Sequence, residues 1–154
     1  MVDVLLSRIA HVVFAGLWAG AVCYVAFVVI PLARDGAFSS TEPLETFSGS
    51  LKLLSRVSAL ALLLTGGHLA GTGYTAESLF ESTNGQLVLA MTGLWLVLAG
   101  LVEVATARFE RGLAQKKLRE PAHRTRWLFQ AAAIVAISLL VVAGALSGNV
   151  AQFL

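Results

Sequence analysis

The chain has 154 residues, of which 57% are hydrophobic and 13% charged, with a mean hydropathy of +0.80. A soluble domain carries about 25% charged residues, so this composition excludes one and indicates a membrane protein. The net charge of +2 does not imply nucleic acid, because the basic residues flank apolar runs, and the single cysteine, Cys23, excludes an intrachain disulfide framework.

Four apolar runs divide the chain, each near the roughly 20 residues that cross a bilayer as a helix. The first covers about 4–32, too long for the apolar region of a signal peptide and without a clear cleavage site, so it reads as a retained helix. It carries Arg8, His11, Trp18 and Cys23 and leaves the bilayer at Pro31. The next stretch, ARDGAFSSTEPLETFSGS, is polar and rich in turn formers, a loop with room for a short surface helix. A second span over about 50–74 ends in TGGHLAG, Thr65 to Gly71, with His68 among glycines. TAESLFESTNG is a second loop, closing on an Asn84-Gly85 turn signal. The third span covers about 86–108 and the fourth about 127–150. No repeat or low-complexity tract interrupts them. The expected fold is an all-α integral membrane protein, an antiparallel four-transmembrane-helix bundle forming a single domain over 1–154.

Lysines and arginines in short loops orient such a bundle, with the basic loops in the cytoplasm. The connection between spans three and four holds Arg108, Arg111, Lys116, Lys117, Arg119, Arg124 and Arg126, and the first connection has Arg34, with Lys52 and Arg56 beyond it. The middle connection has no basic residue, only Glu77 and Glu81. Both termini are therefore expected outside, with the basic third loop cytoplasmic. Arg8 is the dissenting charge.

At about 1.5 Å per residue, His11 stands roughly 10 Å below the outer start of span one and His68 roughly 9 Å below the outer end of span two. An ionisable group at such depth is costly unless it faces the bundle interior and finds a partner. Each imidazole could hydrogen-bond a serine, threonine or carbonyl on a neighbouring helix. Two at one level also fit a shared cofactor or ion. Glycines strip volume from both helices: Gly66, Gly67, Gly71 and Gly73 around His68, and Gly16 and Gly20 below His11. That serves close helix packing, or leaves room for a flat macrocycle with one histidine on each face of its iron. Our first expectation is b-type haem between His11 and His68, with Gly67 leaving space, Trp18 lining the pocket or packing in the core, and Arg8 pairing with a propionate or snorkelling to lipid phosphate. Such a protein would work in electron transfer or haem-dependent oxidation, with a redox protein or quinone as partner; no catalytic residue is assigned.

The alternative is copper, held by His11, His68 and Met91, which lies near the histidine level in span three and supplies a soft thioether. Cys23 lies too deep to join that set. A non-catalytic bundle acting through a partner, with both histidines simply hydrogen-bonded, is the third reading; a homo-oligomer is allowed for separately. In the inner half, Arg56 and Glu103 share a depth and are expected to form a buried ion pair; a proton or ion relay is the functional version. Trp127 suits the inner interfacial belt, and His123 is expected in solvent. No nucleotide loop, zinc-protease motif or nucleophile elbow is present.

Two segments, HVVFAGLWAGAVCYVAFVVIPLAR and FSGSLKLLSRVSALALLLTGGHLAG, resemble the membrane domain of copper-resistance protein D. The shared features are the opening histidine, Leu17-Trp18-Ala19-Gly20, the proline at the helix exit, Phe47-Ser48 and Thr65-Gly66. A more distant similarity, through His11 and Trp18, is to HemJ-type protoporphyrinogen oxidases. The first resemblance implies copper binding or uptake, the second b-type haem and redox work.

Overall fold

The computed structural model describes residues 1–148; the predicted end of the fourth span at Val150 lies outside the described residues. Within lipid a backbone has no water to bond, so a spanning segment must satisfy its own amides as a helix or in a closed barrel. This chain takes the helical solution, and the described residues contain no strand. Helix α1 (Val2–Tyr24) passes through a π-helical turn (Val25–Val29) into α2 (Ile30–Asp35), and these together form the first span. Then follow α3 (Glu42–Gly73), the short α4 (Ala76–Glu81), α5 (Thr83–Ala114) and α6 (Arg119–Ser147). Four helices are thus long and apolar enough to cross a membrane.

The π turn has a local cause. Pro31 carries no N–H to donate to the carbonyl one turn back. Just before it, the Ile30 N–H reaches back five residues to the Val25 carbonyl, accommodating one extra residue. Further on, Gly36 takes a left-handed conformation (φ 85°) and ends α2.

Consecutive spans run antiparallel. The first packs on α3 and α6, α3 on α5, and α5 on α6, which closes a four-membered ring. Small side chains line the contacts, among them Ala19, Ala26, Ala105, Ala132 and Ala136, all buried; in a bilayer such residues let helices approach closely. Phe109 and Phe129 meet edge to face between α5 and α6, centroids 6.1 Å apart. Outward faces carry exposed Leu5, Ile9, Val13, Leu60, Leu64 and Val141, as lipid requires.

The helices outrun the apolar windows that announced them. At 32 residues each, α3 and α5 are about 48 Å long, against a hydrocarbon core of about 30 Å. Helix α3 begins at Glu42, inside the predicted first loop, because Leu44 and Ser48 are buried against the rest of the bundle. Asn84 and Gly85 are not a turn but the first turn of α5: the Ser82 hydroxyl caps the helix by accepting from the Gly85 N–H at 3.0 Å. Gly85 is needed there for another reason, since a β-carbon would come within 2.4 Å of the Ser78 and Leu79 carbonyls.

Candidate functional site at the N-terminal end of the α1–α3 seam

On α1, Asp3, Ser7 and His11 recur every four residues and so share a face. On α3, Thr65, His68 and Thr72 do the same at spacings of three and four. These faces meet. The His11 Nδ1 lies 2.8 Å from the Thr65 hydroxyl, and that hydroxyl lies 2.7 Å from the Ala61 carbonyl one turn back. Threonine has a single hydroxyl proton. With that proton donated to Ala61, Thr65 can only accept from His11. Both contacts are satisfied together only with the ring proton on Nδ1, which leaves Nε2 its lone pair. A metal-binding histidine has this arrangement, one nitrogen orienting the ring through a hydrogen bond and the other free to ligate.

Gly66 makes the contact possible. A β-carbon there would sit 3.0 Å from the His11 Cε1, so the imidazole lies directly against the α3 backbone. Gly67, by contrast, is exposed, with nothing within 4 Å of an added β-carbon. Of the two adjacent glycines, Gly66 is the one that seats a ring.

His68 stands one turn further out than Thr65, about 4.5 Å along the helix. Its Nε2 is 3.8 Å from an Asp3 carboxylate oxygen, while the other oxygen of Asp3 accepts from the chain's amino terminus at 2.9 Å. His11 and His68 thus occupy adjacent turns of one polar seam. Arg8 is exposed on α1, and Met91 is half-buried on α5, which packs against α3. Trp18 lies two turns below His11 and is fully buried, so it packs in the core. Neither its indole N–H nor the hydroxyl of Ser58, two turns below Thr65, has a hydrogen-bond partner among the described residues. No cluster of three or more histidine, cysteine or carboxylate side chains occurs among the described residues; a metal ligated here would draw on two imidazoles and donors of another kind. Asp3 was not singled out from sequence, and Thr65 and Gly66 were noted there as a shared Thr-Gly step, with Gly66 among the glycines around His68, but not as the partners of His11. Thr65 had a legible signal, being three residues from His68 and hence on its face.

A second polar seam joins α3 and α5 in the other half of the bundle. The Arg56 guanidinium donates two parallel bonds to Glu103, at 2.6 and 3.0 Å. Further toward the basic end, Glu110 accepts from Ser48 and pairs with Lys52. The expected Arg56–Glu103 pair is therefore present, but it is not buried. Both side chains are exposed on the side of the bundle, because the α3–α5 packing leaves long side chains at its margin.

Fold and seam together define a class: a multi-pass membrane protein whose four-helix bundle carries ligand-type side chains between its first two spans. The family model described as Copper resistance protein D matches residues 45–146, more than half of the chain, and the chain belongs to that family. The match contains Thr65, Gly66, His68, Met91 and the Arg56–Glu103 pair; Asp3 and His11 precede it. No curated protein and no solved structure matches the chain.

Proposed function

We propose that this membrane protein handles copper as its cargo and receives the ion at the outer end of the α1–α3 seam. One observation carries the reading: the His11–Thr65–Ala61 hydrogen-bond chain orients the imidazole, and the tautomer that satisfies it keeps a lone pair on Nε2 for a metal. Membership of the Copper resistance protein D family supports copper as that metal. His11 and His68 would be the imidazole ligands. Met91 offers a thioether about 12 Å below the start of α5, a level like that of His11, about 13 Å below the start of α1. Imidazole and thioether together suit copper better than magnesium or calcium, which prefer oxygen ligands. The basic loops orient the bundle with both termini outside, so the seam opens away from the cytoplasm.

The test is copper stoichiometry on the purified protein. Wild type is expected to retain copper, His11→Ala and His68→Ala each to lose it, and His123→Ala to behave as wild type. Undiminished copper in both seam variants would defeat the reading.

A second reading is b-type haem clasped by His11 and His68, serving electron transfer with a quinone or redox protein. The observation in its favour is the smooth outer surface at Gly16, Gly20, Gly67 and Gly71, where an added β-carbon meets nothing within 4 Å. A visible spectrum separates the two. Haem gives a Soret band that is altered in both histidine variants, whereas a colourless, copper-loaded preparation leaves the first reading.

A further inference from the structure

The inner ends of α5 and α6 enclose a feature that the copper reading does not use. Between them lies a cleft of about 420 Å³, lined by Arg108, Arg111, Gln115, Lys117, Arg124 and Thr125 together with Glu120. The hairpin that forms it is closed tightly on one side. Gly112 and Pro121 approach so closely that a β-carbon on Gly112 would fall 2.3 Å from the proline ring. At the turn itself, Lys116 adopts a left-handed conformation with φ 59°. The cleft is thus shaped by the backbone.

Its charges do not cancel. Glu120 is the one carboxylate in the lining, and it serves two cations, Lys117 at 2.8 Å and Arg124 at 2.9 Å. Arg108 and Arg111 have no carboxylate partner among the described residues; the Arg111 Nε donates to the Ala107 carbonyl, leaving its two terminal nitrogens uncommitted. Two exposed guanidiniums at the mouth of a concave site, with an amide and a hydroxyl beside them, present a surplus of donors and of positive charge. Guanidinium matches the tetrahedral oxygens of phosphate by paired hydrogen bonds. A basic pocket between helix ends at the cytoplasmic surface is also where anionic headgroups collect.

We propose that this cleft binds a phosphate-bearing anion, with Arg108 and Arg111 as its principal ligands. The phosphate can belong to an anionic lipid headgroup or be free in solution, and the two sources are separable. The proposal stands apart from the copper site and does not depend on it.

The full chain, purified in a neutral detergent, would be titrated with three probes: dihexanoyl-phosphatidylglycerol, dihexanoyl-phosphatidylcholine and inorganic phosphate. Native mass spectrometry would count bound lipid, and equilibrium dialysis would follow phosphate. Arg108→Gln/Arg111→Gln is expected to weaken the bound probe about 25-fold, about fivefold per charge. Arg108→Lys/Arg111→Lys should retain most of the affinity. Arg126→Gln, an exposed arginine of the same connection outside the cleft lining, should change nothing. Preference for phosphatidylglycerol over phosphatidylcholine with this pattern assigns the site to anionic lipid. Saturable phosphate binding with the same pattern, and no lipid preference, assigns it to free phosphate. Equal loss in Arg126→Gln, equal loss in the lysine pair, or no binding of any probe would overturn the proposal.

Discussion

Replacing Thr65 by valine removes one hydroxyl from the His11 seam and keeps the shape of the side chain. Thr65 at present accepts from the His11 Nδ1 at 2.8 Å and donates to Ala61 at 2.7 Å. Without it the Nδ1–H points at a methyl group. Interhelical hydrogen bonds in membranes are worth about 0.6 kcal/mol on average and up to about 1.7, so the folded state should survive. The larger effect is on ligation. An unanchored ring is free to rotate and to exchange its proton between nitrogens, and loss of such an orienting bond lowers metal affinity about 10- to 100-fold. Thr65→Ser restores the hydroxyl and should recover most of that loss. Gly66→Ala attacks the same ring from the other side: its new methyl would sit 3.0 Å from Cε1 and push the imidazole by a few tenths of an ångström. It should weaken copper while Gly67→Ala, in open space, leaves it unchanged. Competition between the protein and a chromophoric copper(I) chelator in micelles measures all four variants. If Thr65→Val binds as tightly as wild type, or Thr65→Ser loses as much as Thr65→Val, the hydrogen bond does not organise a metal ligand and the reasoning fails.

Arg56→Ala and Glu103→Ala should each lower the yield of folded protein, and the double variant should be less damaged than the sum, because no lone charge then remains in the span; normal folding of both single variants would refute this. Gly112→Ala drives a methyl into Pro121 and should cost about 1–3 kcal/mol, the range for overpacking. A thermal midpoint equal to that of wild type would show that the hairpin yields at no cost. For topology, a cysteine introduced at Ser82 in a Cys23→Ser background should react with an impermeant maleimide in intact cells, and labelling only after permeabilisation would reverse the orientation.

The spans themselves were legible because a hydrocarbon slab selects for long apolar runs, and such runs have one structural outcome. Their ends were not. Hydropathy reports where lipid stops, whereas a helix stops where capping and packing change. That is why α3 starts at Glu42 and why α5 runs on to Ala114 through Arg108 and Arg111. Depth arithmetic brought Arg56 to Glu103 correctly, since antiparallel helices of known pitch leave little freedom along their axes. It could not say which way the pair faces, because that depends on rotation about those axes, and the pair proved to be exposed. Rotation also decides between Gly66 and Gly67, which differ by about 100° around the helix. Only one of them can lie under His11, and a list of glycines does not say which.

The π turn at Val25–Val29 gives this rotation a mechanical setting. Below it, Val29, Ile30 and Ala33 are wedged without exposure to speak of, and the π turn and α2 both pack on α6, which locks the C-terminal part of the first span. Above it, the N-terminal part presents His11 to α3. The extra residue acts as a phase shifter between the two, setting the azimuth of everything upstream while leaving the downstream anchor untouched. Winding the same residues as regular α-helix, with no wide turn to absorb the extra one, would keep the span long enough to cross the bilayer. It would also swing the imidazole about 100° around the axis, away from Thr65. The bearing of the histidine seam is therefore dialled from the far part of the same span, by an irregularity that touches neither histidine.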